Sequence, residues 1–330
     1  MFLSIYSLLY LCSLGFTIVV TFTTSNWLMC WMMMEINLMM FIPLLTEKEY
    51  LMECPQSIKY FLVQVLGSMV LVLFLCLENT TYNMNMLSSS STLLLTSLAI
   101  KSGIPPFHFW FPQIVEYCNM MQCFLILAVQ KIIPMALIQF CYSSSLSILM
   151  IVSALVGAYG GINQNSIKKM LAYSSMVHSS WMILSIKSSN LMFIIYLAIY
   201  TFISLCVTFI IYKMNFYKIS EFVSANSNKM GLTSFSLNMM SLGGLPPLLG
   251  FLAKAMAISE SSEMLTVITI LVISSLLSLT YYTRIIWLAM SSAFYSKKEK
   301  MSPVSQKENS FYYLNIVMNI LLISIVLSVL

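Results

Sequence analysis

Long apolar runs recur along almost the whole chain, and short polar stretches separate each run from the next. A helix needs about 20 mostly apolar residues to cross the hydrocarbon core of a membrane. The first run has neither a basic start nor a small-residue cleavage site, so it is interpreted as a span and not as a signal peptide. The pattern predicts an all-α, polytopic membrane protein with about eleven spans, at 1–22, 26–45, 58–78, 91–111, 123–141, 147–165, 169–186, 191–212, 235–258, 264–289 and 311–330.

The composition agrees with a chain that is solvated mainly by lipid. Hydrophobic residues make up 59% of the 330 residues and charged residues only 8%, and the mean hydropathy is +0.89. Soluble domains carry roughly 25% charged residues. No segment is therefore expected to fold as a soluble domain, and residues 1–330 are interpreted as one transmembrane domain. The net charge of +5 comes from loop lysines and does not indicate a nucleic-acid partner.

The lysines of the connecting loops are distributed very unequally between the two sides of the membrane. With eleven spans, the loops on the side of the N-terminus are about 46–59, 112–122, 166–169, 213–231 and 290–310. The opposite loops hold a single lysine, Lys187. Basic loops face the negatively charged compartment, so the N-terminus is predicted to lie there. The eleven lysines on its side are Lys48, Lys59, Lys168, Lys169, Lys213, Lys218, Lys229, Lys297, Lys298, Lys300 and Lys307.

The chain lacks the short motifs that bind nucleotides or catalytic metals. The sequence contains no GxGxxG fingerprint, no Walker A motif and no HExxH. Its eight cysteines include no CxxC pair, and most lie in apolar runs, where a free cysteine behaves as a small hydrophobic residue. Neither a disulfide framework nor a metal site is expected.

A few ionisable residues lie inside the predicted spans, namely Glu35, Lys101, Lys131, His178 and Lys254. A charged residue at the centre of a span costs about 2.5–3.5 kcal/mol on insertion scales. The glutamate and the three lysines together cost roughly 10–14 kcal/mol, which is comparable to the stability of a whole domain. So large a cost favours a functional role, the transfer of protons between buried groups.

Two structural alternatives stay open at this point. Glu35 and one lysine are also consistent with an ion pair that only bridges helices. His178 is as consistent with a hydrogen-bonded core position as with a proton relay. One carboxylate cannot neutralise three lysines, however, so at least one lysine is expected to be neutral or solvated by internal water.

Two proline pairs with similar flanking residues lie in the fourth and ninth predicted spans. Pro105-Pro106 and Pro246-Pro247 each follow a glycine and lie near a lysine. Proline breaks a helix, and a broken helix at membrane depth is tolerated where it lines a cavity or is buried in protein. Matching interruptions in two halves of a chain indicate inverted repeats. The sequence predicts two five-helix repeats, about 1–141 and 147–289, and a last helix at about 311–330.

Four stretches of the chain together carry a family resemblance. They are Lys101-Ser102-Gly103-Ile104-Pro105-Pro106-Phe107-His108-Phe109-Trp110-Phe111-Pro112, Gln130-Lys131-Ile132-Ile133-Pro134, Gly160-Gly161-Ile162-Asn163-Gln164, and Leu242-Gly243-Gly244-Leu245-Pro246-Pro247 with Gly250, Phe251 and Lys254. They resemble the chain 2 family of mitochondrial NADH–ubiquinone oxidoreductase, respiratory complex I. Pro105 departs from the family pattern, in which a small residue is usual. The resemblance extends over essentially the whole chain.

The resemblance implies an antiporter-like core subunit in the membrane arm of the complex, located in the mitochondrial inner membrane. Because the matrix is the negative side of that membrane, the lysine distribution then predicts an N-terminus on the matrix side. It implies that the chain couples NADH-to-ubiquinone electron transfer to proton pumping. It further implies a proton path through Glu35, Lys101, Lys131 and Lys254, with His178 as an additional candidate. Lys101 is the lysine expected to face Glu35, because the second and fourth spans of such a repeat pack around a central cavity.

The same resemblance implies that the redox chemistry takes place elsewhere in the complex. NADH, flavin, iron–sulfur clusters and ubiquinone would belong to other subunits, so no cofactor is expected in this chain. The expected partners are the other membrane-arm subunits, accessory subunits and inner-membrane lipids. Without the resemblance, the residues fit a stand-alone cation/proton antiporter equally well. A purely structural spacer is disfavoured by the number of buried lysines.

Overall fold

Helices account for nearly all of the described chain. The computed structural model describes residues 5–46, 55–80, 87–141, 145–221, 229–261, 264–295, 312 and 315–317. Within these ranges there is no β-strand, and a single isolated β-bridge joins Ser166 to Lys218. The chain divides into two compact units, Met1–Leu149 and Met150–Leu330.

The first unit is built from helices that follow one another closely in the sequence. A π-helical turn, Leu125–Val129, lies between two of its short helices and joins them into one continuous helical segment. In this unit α3 packs along α4, and α1 packs along α2. The helices are α1 (Ile5–Thr23), α2 (Trp27–Thr46), α3 (Pro55–Thr80), α4 (Leu87–Ser102), α5 (Trp110–Tyr117), α6 (Met120–Phe124) and α7 (Gln130–Ile138).

The second unit contains a helix that is buried along almost its whole length, Ile167–Ser188. Its serine hydroxyls donate to backbone carbonyls of the preceding turn, as Ser174 does to Leu171 O at 2.9 Å. Small side chains with internally satisfied hydroxyls let neighbouring helices approach closely. The helices of this part of the chain are α8 (Ser145–Ile162), α9 (Ile167–Ser188), α10 (Asn190–Met214), α11 (Lys229–Gly243), α12 (Leu249–Glu260) and α13 (Leu265–Tyr295).

Seven helical segments of the described chain are long and apolar enough to cross a membrane. Each of them coincides with a predicted span. The predicted span at 169–186 corresponds to α9, which is long enough but carries many serines and a histidine. The spans predicted at 91–111 and 235–258 are interrupted helices, and the one predicted at 311–330 lies outside the described residues, apart from residues 312 and 315–317. The seven segments are Ile5–Thr23, Trp27–Thr46, Gln56–Glu78, Met120–Ile138, Ser145–Ile162, Asn190–Met214 and Leu265–Ser291.

The interruptions predicted at the two proline pairs are confirmed. Helix α4 ends at Ser102 and α5 begins at Trp110, while α11 ends at Gly243 and α12 begins at Leu249. The residue after each first half-helix is a glycine with positive φ, 68° at Gly103 and 82° at Gly244. Glycine adopts this left-handed conformation without the steric cost that a Cβ brings.

The two interruptions also share their hydrogen bonds. The N–H of Ile104 donates to Ala99 O at 3.0 Å, and the N–H of Leu245 donates to Met240 O at 3.2 Å. In both cases the bond reaches back five residues, as in a Schellman cap, and satisfies a carbonyl that the helix end would leave free. The Pro105–Pro106 and Pro246–Pro247 peptide bonds are both cis.

The prediction of a loop at 112–122 is wrong. Helix α5 continues to Tyr117 and α6 begins at Met120, so that Cys118 and Asn119 alone connect them. The predicted span of 91–111 allowed no additional residues for the interruption at the proline pair. The non-helical residues of the interruption displace the second half of that span towards the C-terminus. Asn119 and Gln122 form a capping box at the start of α6, a pattern that marks a helix start in the sequence.

Candidate site of buried ionisable residues

Glu35 and Lys101 form an ion pair inside the first unit. Glu35 lies in the middle of α2 and Lys101 in the last turn of α4, and the Lys101 Nζ is 3.5 Å from Glu35 Oε1. The lysine side chain is 4% exposed and the glutamate side chain 23% exposed. A buried charge is stable where a group of opposite sign accompanies it. The predicted pairing is therefore present, while its role in proton transfer stays a prediction.

Helix α3 holds the last turn of α4 in two ways. The Gln64 side-chain amide donates to the Lys101 carbonyl oxygen at 3.0 Å, which satisfies one of the carbonyls at the end of α4. The aliphatic part of Lys101 passes directly over Gly67, where a Cβ would come within 2.9 Å of Lys101 Cγ. Gln64 thus fixes the backbone of Lys101, and Gly67 leaves room for its side chain.

Lys131 lies in the first turn of α7, immediately after the π-helical turn, and is only 3% exposed. Its Nζ lies 4.7 Å from the centroid of the Phe111 ring. Phe111 belongs to the first turn of α5, just beyond the interruption of the fourth span. The end of the Lys131 side chain thus lies beside the first turn that follows the interruption.

Three side-chain amides connect this region. Asn37 on α2 and Gln130 on α7 exchange two hydrogen bonds, with lengths of 3.0 and 3.3 Å. Both residues, together with Gln64, Lys101 and Tyr60, line a small internal cavity of about 10 Å³. That volume is close to the smallest that holds one water molecule. Lys101 therefore shares a polar, water-sized space with Gln130, the neighbour of Lys131.

Lys254 occupies the corresponding interruption of the second unit, although it lies on the other side of the break. Lys101 ends the first half-helix, whereas Lys254 belongs to the second half-helix, α12. Lys254 is 7% exposed, and its Nζ donates to Gly243 O at 2.9 Å and to Leu242 O at 3.5 Å. The C-terminus of a helix carries partial negative charge. The end of α11 therefore supplies the electrostatic partner of this ammonium group.

His178 lies in α9 and faces two tyrosines of α10. Its Nδ1 is 3.0 Å from the Tyr196 hydroxyl, and its ring centroid is 5.0 Å from that of Tyr200. The histidine is 6% exposed. A hydrogen bond between an imidazole and a hydroxyl serves a relay and a packed core equally well. The geometry leaves both interpretations of His178 open.

The structure thus groups the candidate residues within each unit. Glu35, Lys101 and Lys131 surround the interruption of the fourth span, whereas His178 and Lys254 have separate partners in the second unit. Gln64, Asn37 and Phe111 also belong to the first group and were not predicted from the sequence. An amide inside an apolar run is the signal that points to the first two. Among the described residues, no cluster of three His, Cys, Asp or Glu side chains is suited to hold a metal ion.

Comparisons with known proteins agree on one family. The sequence model of the family described as NADH:quinone oxidoreductase/Mrp antiporter, TM matches residues 24–280. NADH-ubiquinone oxidoreductase chain 2 of Anopheles gambiae is 34% identical over 285 residues, which cover 84% of this chain and 84% of that protein. Chain 2 of Paradoxurus hermaphroditus is 34% identical over 323 residues, which cover 92% of each protein.

A solved structure shows the same fold. A chain in respiratory complex I from Thermus thermophilus with bound aureothin superimposes with a TM-score of 0.79 at 20% identity. The match covers 96% of this chain and 78% of that chain. The two chain 2 relatives and the family model extend over most of the sequence, including both interrupted helices. The chain belongs to the NADH:quinone oxidoreductase/Mrp antiporter family and, within it, to the chain 2 proteins of NADH-ubiquinone oxidoreductase.

Proposed function

We propose that this chain is the core membrane subunit of a proton-translocating NADH:ubiquinone oxidoreductase and that it couples electron transfer in that complex to proton pumping. Membership of the chain 2 family supports this function. The chain is a multi-pass protein of the inner membrane and part of an enzyme, NADH:ubiquinone reductase. The redox groups, NADH, flavin, iron–sulfur clusters and ubiquinone, belong to other subunits of the complex.

The observation that carries the proposal is the Glu35–Lys101 pair beside an interrupted helix. The carboxylate stabilises the ammonium form of Lys101 by Coulomb attraction. A conformational change that separates the two groups withdraws this stabilisation, so that an N–H bond of Lys101 breaks and its proton passes to an acceptor in the cavity. Lys131 in its neutral form takes up that proton and becomes the ammonium.

Lys254 is the proposed carrier in the second unit. The carbonyls of Gly243 and Leu242 stabilise its ammonium form without accepting the proton, because a backbone carbonyl is a far weaker base than a carboxylate. The same carbonyls stabilise the ammonium form only weakly, so Lys254 can still release its proton. His178 with Tyr196 is a second candidate for a carrier in this unit.

The arrangement of the chain in the membrane is also part of the proposal. The shared glycine conformation and hydrogen bonds of the two interruptions support two inverted five-helix repeats. The lysine distribution supports an N-terminus on the matrix side. The proposed neighbours are other membrane-arm subunits, accessory subunits and lipids, since a membrane subunit of a large complex presents its apolar faces to protein and lipid.

Replacement of Glu35 by Gln tests the coupling role. Glutamine keeps the size and most of the hydrogen-bonding capacity of glutamate and removes the charge. We expect near-normal amounts of assembled complex and at least a twofold loss of proton translocation per NADH oxidised. Sealed vesicles and native gels give the two quantities. Glu78→Gln is the matched control, because it removes the same charge at an exposed position on α3.

A purely structural ion pair gives a different result. Lys101 would then lose its partner at a cost of about 3–5 kcal/mol, and the Glu35→Gln complex would fail to assemble. Normal assembly together with unchanged pumping would rule out the coupling role. Purification of the chain without a hydrophilic redox arm would instead favour a stand-alone cation/proton antiporter.

A further inference from the structure

The Phe111 side chain lies close to two parts of the first unit that the proposed proton path uses. The first is Gly103, the glycine that opens the interruption after α4. A Cβ built on Gly103 would lie 3.0 Å from Phe111 Cδ2 and 3.1 Å from its Cβ and Cγ. The second is Lys131, whose Nζ is 4.7 Å from the ring centroid. The ring is therefore in contact with the backbone two residues from Lys101 and with the ammonium group of Lys131.

The chemistry of this contact suits a group that must be charged only part of the time. An ammonium within about 6 Å of a ring centroid is attracted by the negative face of the ring, and the attraction grows where water is excluded. Phe111 is 1% exposed and Lys131 3% exposed. A carboxylate in the same place would attract the ammonium more strongly, but it would also accept the proton. The ring holds the charge and leaves the proton free to move.

We infer that Phe111 is a positioning residue for Lys131, whose ring face holds the ammonium group of the lysine beside the interruption of the fourth span. The inference rests on the proposed function, in which Lys131 carries a proton. It adds that the group that contacts the Lys131 ammonium is an aromatic ring. It also adds that position 103 requires glycine, because the Phe111 ring occupies the space that a Cβ at position 103 would need. A shift of the backbone at Gly103 would move the Phe111 ring and thereby change the position of the Lys131 ammonium group.

The test compares replacements that keep or remove the ring, all in the intact complex. Phe111→Leu and Phe111→Met keep an apolar side chain and lose the ring, whereas Phe111→Tyr keeps the ring face. Phe41→Leu is the matched control, because Phe41 is also fully buried in this unit but packs edge-on against the Tyr60 ring. Lys131→Met tests the proposed function itself. Proton translocation is measured per NADH oxidised and per assembled complex.

Loss of a cation–ring contact lowers the population of the lysine conformation that the contact stabilises about two- to thirtyfold. We therefore expect Phe111→Leu and Phe111→Met to lose at least half of the proton translocation of each assembled complex. Phe111→Tyr and Phe41→Leu should stay near the wild-type value. Lys131→Met should show the largest loss.

Two results overturn the inference and leave the proposed function standing, and a third overturns the inference together with part of the proposed function. Full pumping in Phe111→Leu or Phe111→Met, together with its loss in Lys131→Met, shows that the ring does not position the lysine. An equal loss in Phe111→Tyr and Phe111→Leu shows that the ring face is not the relevant property. Full pumping in Lys131→Met removes this lysine from the proton path, and the inference then fails with that part of the proposed function. Because Met and Leu differ in shape, the two ring-removing variants are independent tests. If Phe111→Leu or Phe111→Met assembles poorly, proton translocation by the other variant decides the outcome.

Discussion

At the scale of single residues, the buried lysines differ in what stabilises their charge. Lys101 faces a carboxylate, Lys131 faces an aromatic ring, and Lys254 faces the carbonyl end of a helix. Of these partners only the carboxylate readily accepts a proton, whereas a phenyl ring and an amide carbonyl stabilise the ammonium without accepting its proton. In the proposed proton path, the three lysines would therefore bind and release a proton under different electrostatic conditions.

The two residues of the reciprocal amide bridge, Asn37 and Gln130, are expected to depend on each other for their contribution to stability. Removal of one amide leaves the other buried without its partner, at about 1–3 kcal/mol, whereas replacement of both by apolar groups of similar shape is nearly neutral. Asn37→Leu and Gln130→Met should each lower the thermal midpoint of the assembled complex. The double variant should recover most of the loss.

The decisive quantity is the difference between the loss of thermal midpoint in the double variant and the sum of the losses in the two single variants. Gln122→Met combined with Asn37→Leu is the control, because Gln122 donates to Leu44 O, does not line the cavity beside the amide bridge, and the two losses should therefore add. If the Asn37 and Gln130 losses also add, the two amides do not depend on each other and the bridge has no stabilising role.

The charged residues of the site could be found from the sequence, whereas most of their partners could not. Glu35 and Lys101 stand out because a charge inside a span is costly, and a lone carboxylate requires a cation. The contact of Lys131 with Phe111 joins residues of two different helices, and nothing in either apolar run specifies which ring faces which lysine. The Asn37–Gln130 bridge spans 93 positions of sequence, and its register depends on how the helices pack.

At the scale of helices, the two interruptions place a lysine on opposite sides of the same backbone motif. In α4 the lysine precedes the positive-φ glycine, and in α12 the lysine follows it and reaches back to Gly243 O. In the first unit Gln64 donates to the carbonyl of Lys101, whose position corresponds to that of Leu242, the second carbonyl that accepts from Lys254. The carbonyl end of each first half-helix is thus closed by a polar side chain, neutral in one unit and cationic in the other.

Gly244→Ala tests the need for this conformation. Gly244 has φ of 82°, and a Cβ there would lie 2.8 Å from the Lys254 Nζ. A left-handed alanine costs about 1–2 kcal/mol, and the added methyl group pushes the ammonium away from the carbonyls of α11. We expect less assembled complex and weaker proton translocation in what assembles, measured by native gel and vesicle assay.

The neighbouring glycine provides the comparison. A Cβ on Gly243 would meet Tyr282 and Leu279 at 3.6 to 3.7 Å, which is ordinary contact, and the residue is helical. Gly243→Ala should therefore be neutral or slightly stabilising. Equal effects of the two replacements would show that the positive φ and the contact with Lys254 do not matter.

The helices were predictable where the sequence contains a strong local signal. The proline pairs located both interruptions, because proline cannot continue a helix. The π-helical turn at Leu125–Val129 was not predictable, since Leu-Ile-Leu-Ala-Val carries nothing that distinguishes it from an ordinary buried turn. The start of α6 had a signal, the capping box of Asn119 and Gln122, but the span-length criterion overrode it.

At the scale of the whole molecule, the arrangement of α9 and its neighbours bears on orientation. Lys168 and Lys169 lie in the first turn of α9, and Lys187 lies at its other end. A helix of 22 residues is about 33 Å long, enough to cross a hydrocarbon core of about 30 Å. The Ile167 N–H donates to Tyr217 O at 3.0 Å, so the segment that carries Lys218 lies at the same end as Lys168 and Lys169.

This distribution predicts which residues are accessible from which side of the inner membrane. Because basic residues are retained on the negative side, Lys218 should face the matrix and Lys187 the opposite compartment.

Labelling of introduced cysteines tests this orientation. The intact complex carrying Lys218→Cys or Lys187→Cys is treated with a membrane-impermeant thiol reagent. The labelling of the parent chain, which has eight native cysteines, is subtracted. Lys218→Cys should react in inverted vesicles alone and Lys187→Cys in mitoplasts alone. The same orientation puts the residues around Lys297, Lys298 and Lys300, which lie outside the described residues, on the matrix side. Reaction of both cysteines from one side would mean that α9 does not cross the membrane, and the eleven-span count would fail with it.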